Sequence, residues 1–315
     1  MRLLASTTLL SLLYATSLRA DDTNIIAPGA TLQKLAGDFA FTEGPACDAE
    51  GNVFFTDQPN NRILKWSTDG KLTTFMQPCG RANGLSFDTH GNLWACADEK
   101  NELWRIDPSG KPTVVVKHFE GKLLNGPNDV WIRPAQLANV GNGRSDIDLQ
   151  ELPGGLYFTD PFYKRPYWNR GPKEMEECVY FLSTDGKTLI RVISDLKQPN
   201  GIIGTPDGKT LYVADIGANK TYRYQIQPNG SLKGKKLFCE LGSDGMTIDE
   251  RGDIYLTGKG VTVFDSSGKK IQHIEVDEPW TANACFGAKD RRTLFITASK
   301  GLYSLQMSVK GVDSQ

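Results

Sequence analysis

The sequence predicts an all-β chain folded as a six-bladed β-propeller, its last blade closed by an N-terminal strand. Three observations carry this. Short apolar runs rich in β-branched and aromatic residues alternate with D-G, N-G and S-G turns, which is hairpin chemistry. A plan of four such runs recurs, each copy opening on a polar residue that is usually followed by glycine. No stretch sustains an apolar period near 3.6, so no helix competes. The opening residues are Glu43, Asn83, Asn128, Asn200, Asp244 and Asn283, spaced by 40, 45, 72, 44 and 39. Four of these five spacings match a four-stranded blade of about 40–45 residues.

The elements follow in order. Met1 and Arg2 give a basic start, Leu3 to Leu13 is apolar, and Leu18-Arg19-Ala20 precedes Asp21-Asp22. This reads as a secretory signal over 1–20, too short to span a bilayer, and predicts an exported protein, periplasmic or secreted. Residues 21–29 read as a linker. Thr31 to Ala36 looks like the fourth strand of a unit that lacks its first three, whereas the sixth unit stops after three. Pairing the two ends completes the last blade and removes an open edge. The third unit carries insertions over 135–153 and 162–177, which account for the long spacing. The propeller thus runs over 30–308, with 309–315 as a tail.

Among the 315 residues, 36 Lys and Arg face 37 Asp and Glu, so the net charge of −1 gives no pull toward nucleic acid or an anionic membrane. Six cysteines are widely spaced without a C-x-x-C pair. Both disulfides and buried thiols are open to them, and the oligomeric state is open as well. His90, His118 and His273 fall in a turn and in outer-strand regions, where structural roles suffice. The stretch GTPDGKT over 204–210 has Ile203 where a P-loop needs its first glycine, so it reads as a hairpin turn. Neither G-x-S-x-G nor H-E-x-x-H occurs.

Propeller symmetry turns the repeat into a site. Each opening residue begins the innermost strand of its blade, so all six crowd one mouth of the central channel. The second strands return to that mouth at Asp57, Asp98, Asp160, Asp215, Thr257 and Thr297. Hard divalent cations take six to eight oxygen donors of this kind. Glu43 and Asp244 offset a 2+ charge, and Asn128 and Asn200 supply neutral oxygens. The absence of His and Cys from the ring disfavours zinc and copper. The alternative is that the polar residues only satisfy turns. Glu43 is a poor turn former, which argues against it for the set, while Asn83 and Asn283 fit either role.

The motifs F-x-E-G-P, A-N-G-L, P-N-D-V, Y-F-T-D-P, P-N-G-I and S-D-G-M occur in this order, ending in T-A-N-A-C-F-G-A. Together they resemble the gluconolactonase, senescence marker protein and luciferin-regenerating enzyme family, over about 30–306. The resemblance implies a six-bladed propeller with a divalent metal in its channel, often Ca2+, with Mg2+, Mn2+ or Zn2+ as alternatives. It implies hydrolysis of sugar-acid lactones such as gluconolactone. Glu43, Asn200 and Asp244 would be metal ligands, Asn128 a further ligand or substrate contact, and Asp244 the general base.

Two features depart from that family. Ala97-Asp98-Glu99 stands where its members commonly carry Glu-His. The loop 162–177 follows Asp160 on the metal-bearing face and brings Tyr163, Arg165, Tyr167 and Trp168. Aromatics and an arginine there suit a lid over a polyol or an anion, so Asn83, Asp160, Tyr163, Arg165 and Trp168 join Asn128 as candidate substrate contacts. The same aromatics would also serve as a packing cluster. Two other readings compete: another ester or phosphotriester hydrolase on the same site, or a non-catalytic ligand-binding propeller.

Overall fold

The computed structural model describes residues 24–139, 149–152 and 154–312. Six four-stranded antiparallel sheets follow one another along the chain. From the channel outward, blade one is Thr42–Cys47, Val53–Asp57, Arg62–Trp66 and Leu72–Met76. Blade two is Leu85–Phe87, Leu93–Ala97, Glu102–Ile106 and Pro112–Val116. Blade three is Val130–Arg133, Gly155–Asp160, Cys178–Ser183 and Leu189–Ile193. Blade four is Pro199–Gly204, Thr210–Asp215, Lys220–Ile226 and Leu232–Cys239. Blade five is Met246–Ile248, Ile254–Gly258, Gly260–Phe264 and Lys270–Ile274. Blade six is Thr281–Gly287, Thr293–Ala298 and Gly301–Gln306, and its outermost strand is Gln33–Ala36. Gln33 pairs with Ser304 and Lys34 with Tyr303, so the N-terminal strand closes the last blade.

Local chemistry explains the hairpins. At the turn between the first two strands of blade two, Asp88 Oδ1 accepts the N–H groups of His90 and Asn92. Gly91 takes a left-handed conformation there, with φ +76°. Asp249 repeats the arrangement in blade five with Arg251 and Asp253. The stretch 204–210 is likewise a hairpin turn, in which Thr205 and Thr210 are bonded through their backbones.

The core is divided among the seams. One buried apolar cluster lies between each adjacent pair of blades. Between blades one and two, Phe54 meets Phe75 and Phe87 edge to face, with ring centroids 5.0 Å apart in both pairs. Burying each such side chain contributes about 1.5–3 kcal/mol. Each innermost strand packs against those of both neighbours, and blade six meets blade one. That closed ring gathers the opening residues around one axis.

Three details differ from expectation. Residues 24–29 are no loose linker: Ile25 is buried in the seam of blades five and six, and Ile26 bridges to Met307. The tail is also packed, with Val309 in the same cluster and Gly311 bridged to Asp249. Apolar Ile25 and Val309 draw both ends onto the ring. The first blade-three insertion holds a hairpin, Gln136–Asn139 with Leu149–Leu152, and its residues 140–148 and 153 lie outside the described ones. The second has no regular strand. The signal segment 1–20 also lies outside the described residues. Cys79, Cys96, Cys178 and Cys239 are buried thiols.

Candidate active site

Glycine sets the spacing of the ring. A Cβ on Gly44 would lie 2.1 Å from the Asn83 carbonyl oxygen, and one on Gly245 would lie 1.9 Å from Asn283 Cγ. The glycine after one opening residue therefore admits the opening residue of the next blade. Blades three and six break the pattern, because Asp129 follows Asn128 and Ala284 follows Asn283. The Asp129 carboxylate accepts from Asn283 Nδ2, at 3.1 and 3.2 Å, and so ties blade three to blade six, directly across the ring.

Buried threonines of the second strands hold the ring's backbone. Thr56 Oγ1 donates to the Asn83 carbonyl at 3.2 Å, and Thr257 Oγ1 donates to that of Ala282 at 2.7 Å. Thr159 Oγ1 accepts from the Asp129 N–H.

The ring's side chains are rich in unfilled bonding capacity. Asn83 is 1% exposed, and both atoms of its amide lack a partner. Asn200 Nδ2 donates to Asp244 Oδ1 at 2.7 Å and to Tyr163 Oη at 2.8 Å, while its Oδ1 has no partner. Buried amides in this state are costly unless a ligand completes them. Asp244 Oδ2 accepts from Trp280 Nε1 at 2.6 Å. Burial pushes the Asp244 carboxyl up, against the pull of Trp280, Arg165 and Asn200. Burial raises Glu43 well above the carboxylate range, and the charges of Asp244 and Asp129 add to it. Asp129 is raised well above its ordinary value by burial and then by Asp244. The ring is a set of carboxylates that repel one another, mixed with amides that lack partners. No group of three His, Cys, Asp or Glu side chains clusters as a metal site among the described residues, so the amides are essential to any cation site here.

The loop 162–177 roofs this mouth. Tyr163 reaches the ring through Asn200. Arg165 stacks on the Tyr163 ring, 4.5 Å from its centroid, and donates from Nε to Asp98 Oδ2 at 3.4 Å. Tyr167 donates to Gln58 Oε1 at 2.6 Å, and Gln58 donates from Nε2 to Asp98 at 3.2 Å. Arg170 pairs with the same Asp98 carboxylate.

The candidates therefore separate. Glu43, Asn83, Asn128, Asn200 and Asp244 stand on neighbouring blades around one axis. Tyr163 and Arg165 meet them from above. Trp168 does not: it lies between the guanidiniums of Arg81 and Arg170, at 5.8 and 5.3 Å, facing the seam of blades two and three. Asp160 is also withdrawn. Its two oxygens accept the N–H groups of Asn125 and Gly126, at 2.9 and 2.8 Å, so it fastens the loop leading into its blade. Asp57 and Asp215 fasten the loops at Ala40-Phe41 and Lys197-Gln198 in the same way. Sequence reasoning missed Trp280, whose only signal was a tryptophan immediately before an innermost strand, and Asp129, the acid in a glycine position.

The fold is shared with known proteins. The family described as SMP-30/Gluconolactonase/LRE-like region matches residues 41–300. A gluconolactonase of Zymomonas mobilis is 27% identical over 91% of this chain and 84% of its own. The solved structure of a gluconolactonase from Xanthomonas campestris superposes with a TM-score of 0.77 at 27% identity, covering 90% of this chain and 91% of the other. A calcium-binding protein, regucalcin, from Agrobacterium tumefaciens shares the fold, with a TM-score of 0.69 at 19% identity over 90% and 96% of the two chains. With a match that spans nearly the whole ring, from the loop before Glu43 to the turn after Thr297, the chain belongs to the SMP-30/gluconolactonase/LRE-like family.

Proposed function

We propose that the protein is a divalent-cation-dependent hydrolase that opens a lactone, with a sugar-acid lactone such as gluconolactone as its substrate. One observation carries the reading: the buried carboxylates Glu43 and Asp244 share a mouth with the unpartnered amide of Asn83 and the unpartnered Oδ1 of Asn200. The similarity to gluconolactonases supports the substrate class.

A hard divalent cation fits these donors, because it relieves the carboxylate repulsion and takes up the orphaned Asn200 Oδ1. Glu43, Asn128, Asn200 and Asp244 would hold it, with Ca2+ the first choice and Mg2+, Mn2+ or Zn2+ the alternatives. When bound, such an ion polarises a lactone carbonyl and makes water more acidic. The chain's own residues do the rest. Asp244, its carboxyl raised by burial, takes the proton from the attacking water. Trp280 and Asn200 each occupy one of its oxygens and fix its orientation. The water oxygen bonds to the carbonyl carbon, the ring C–O bond breaks, and the proton passes to the departing oxygen, leaving a hydroxy acid. The roof around Tyr163 and Arg165 keeps bulk water away. Export belongs to the same proposal, resting on the pattern of residues 1–20, and N-terminal sequencing of the mature protein tests it.

The test is acid release from a panel of aldonolactones by metal-stripped protein, with and without added calcium, beside Asp244→Ala. Calcium-dependent turnover that disappears in the variant is expected. Turnover that ignores both the metal and the substitution would overturn the reading.

A further inference from the structure

One guanidinium at the roof keeps unused hydrogen-bonding capacity. Three guanidiniums, those of Arg81, Arg165 and Arg170, form salt bridges with two carboxylates, Glu99 and Asp98. Arg81 is matched by Glu99. Arg165 and Arg170 share Asp98, and Arg170 binds it at both its carboxylate and its backbone carbonyl. Arg165 reaches Asp98 only through Nε. Its terminal nitrogens have no hydrogen-bond partner among the described residues, although the side chain is only 17% exposed. The Tyr163 ring fixes the plane of the guanidinium, and that same tyrosine bonds the ring residue Asn200. The fields of Glu43 and Asp244 reach Arg165, yet neither carboxylate lies within salt-bridge distance of it. Were a divalent cation to engage Glu43 and Asp244, Arg165 would be a cationic group beside them still free to bond an anion on the substrate.

We infer that Arg165 is a specificity-determining residue that receives a carboxylate carried by the substrate, so that the preferred lactone is that of a sugar diacid or uronic acid rather than of a neutral aldonic acid. This rests on the lactonase reading above. Two free terminal nitrogens in a fixed plane match the two oxygens of a carboxylate. A phosphate dianion would call for more positive charge than this single guanidinium supplies.

Two measurements test it. Hydrolysis of glucarolactone, gluconolactone and 6-phosphogluconolactone is compared in the calcium-loaded wild type, Arg165→Met and Arg165→Lys. The wild type favours the carboxylate-bearing lactone in kcat/KM by at least about tenfold, chiefly through KM, and Arg165→Met loses that ratio while Arg165→Lys keeps part of it. Calorimetric binding of glucarate against gluconate to the metal-stripped proteins supplies a readout that needs no turnover, with the same preference and the same loss expected. A wild type that turns over gluconolactone as well as glucarolactone overturns the inference and leaves the lactonase reading standing. Preference for the phosphorylated lactone, an unchanged ratio in Arg165→Met, or binding of neither acid also overturns it. Selective glucarate binding without turnover of any lactone would uphold Arg165 as the anchor and sink the lactonase reading instead.

Discussion

Two sets of carboxylates occupy the same face of the ring and differ in what holds them. Asp57, Asp160 and Asp215 end second strands and clasp the loops that lead into their own blades through backbone N–H donors, to which Asp57 adds the side chains of Asn60 and Arg62 from its own hairpin. Asp244 opens an innermost strand and takes its donors from side chains, Asn200 and Trp280. Glu43 accepts one backbone N–H, from Gly44, and has a partnerless amide as its neighbour in the next blade. Burial is shared by both sets, and it raises Asp160 as it raises Asp244. Burial therefore does not tell a working carboxylate from a structural one. The donors do: backbone donors lock a group, whereas side-chain donors beside unfilled amides leave it able to exchange partners. Asp98 stands between the sets, in a clasp position but held by Gln58, Arg165 and Arg170.

The largest effect expected from this contrast is at Asp244. Asp244→Ala should lower kcat/KM by about a thousandfold or more, while the melting temperature holds or rises as a source of repulsion disappears. A melting point that falls along with activity would place Asp244 among the clasps. Next comes pH. Burial holds the Asp160 carboxyl at about 7 in the folded protein, above its unfolded value. Between the two values the folded chain keeps a proton that the unfolded chain has shed. Raising the pH from about 4 to about 7 should therefore cost roughly 2–4 kcal/mol of stability. Denaturant titrations across that range should show a steeper loss in the wild type than in Asp160→Asn, which keeps only the part due to the other buried carboxyls, Glu43, Asp129 and Asp244. Asp215→Ala should follow, because it strands the N–H groups of Lys197 and Gln198 and costs about 2–3 kcal/mol. Its activity per folded molecule should stay within a few-fold, and a selective loss of kcat would break the comparison. The smallest effect expected is at Trp280, 37% exposed and outside the core. Trp280→Phe removes one hydrogen bond to Asp244 and should reduce kcat/KM by about tenfold with no change in unfolding midpoint.

The ring was legible in the sequence because its spacing and its chemistry coincide. The polar-glycine pairs that mark four of the six blades supply the glycines that let Asn83 approach Gly44 and Asn283 approach Gly245. Asp160 was read as a substrate contact, and the backbone donors its oxygens meet were not legible, for a physical reason. An acid at a strand end looks the same whether its oxygens meet backbone or ligand, and the loop that fills them lies 34 and 35 residues upstream. Trp168 and Tyr163 share one loop without a period, so nothing local says that one turns toward the ring and the other toward a seam. Trp280 reaches Asp244 from the neighbouring blade, 36 residues away. Ile25 and Val309 were read as part of a linker and a tail because isolated apolar residues near an end carry no pattern.

The closing pair Gln33–Ser304 has a consequence in time as well as in space. The strand that a ribosome makes first among these finds its partner only when nearly the whole chain exists. Until then the last sheet lacks its rim, and the seam between blades six and one has one wall. Contacts so far apart in sequence form late and slowly. A nascent chain thus remains an arc, and it becomes a wheel, with all six polar residues facing one hub, when the first strand joins the last blade.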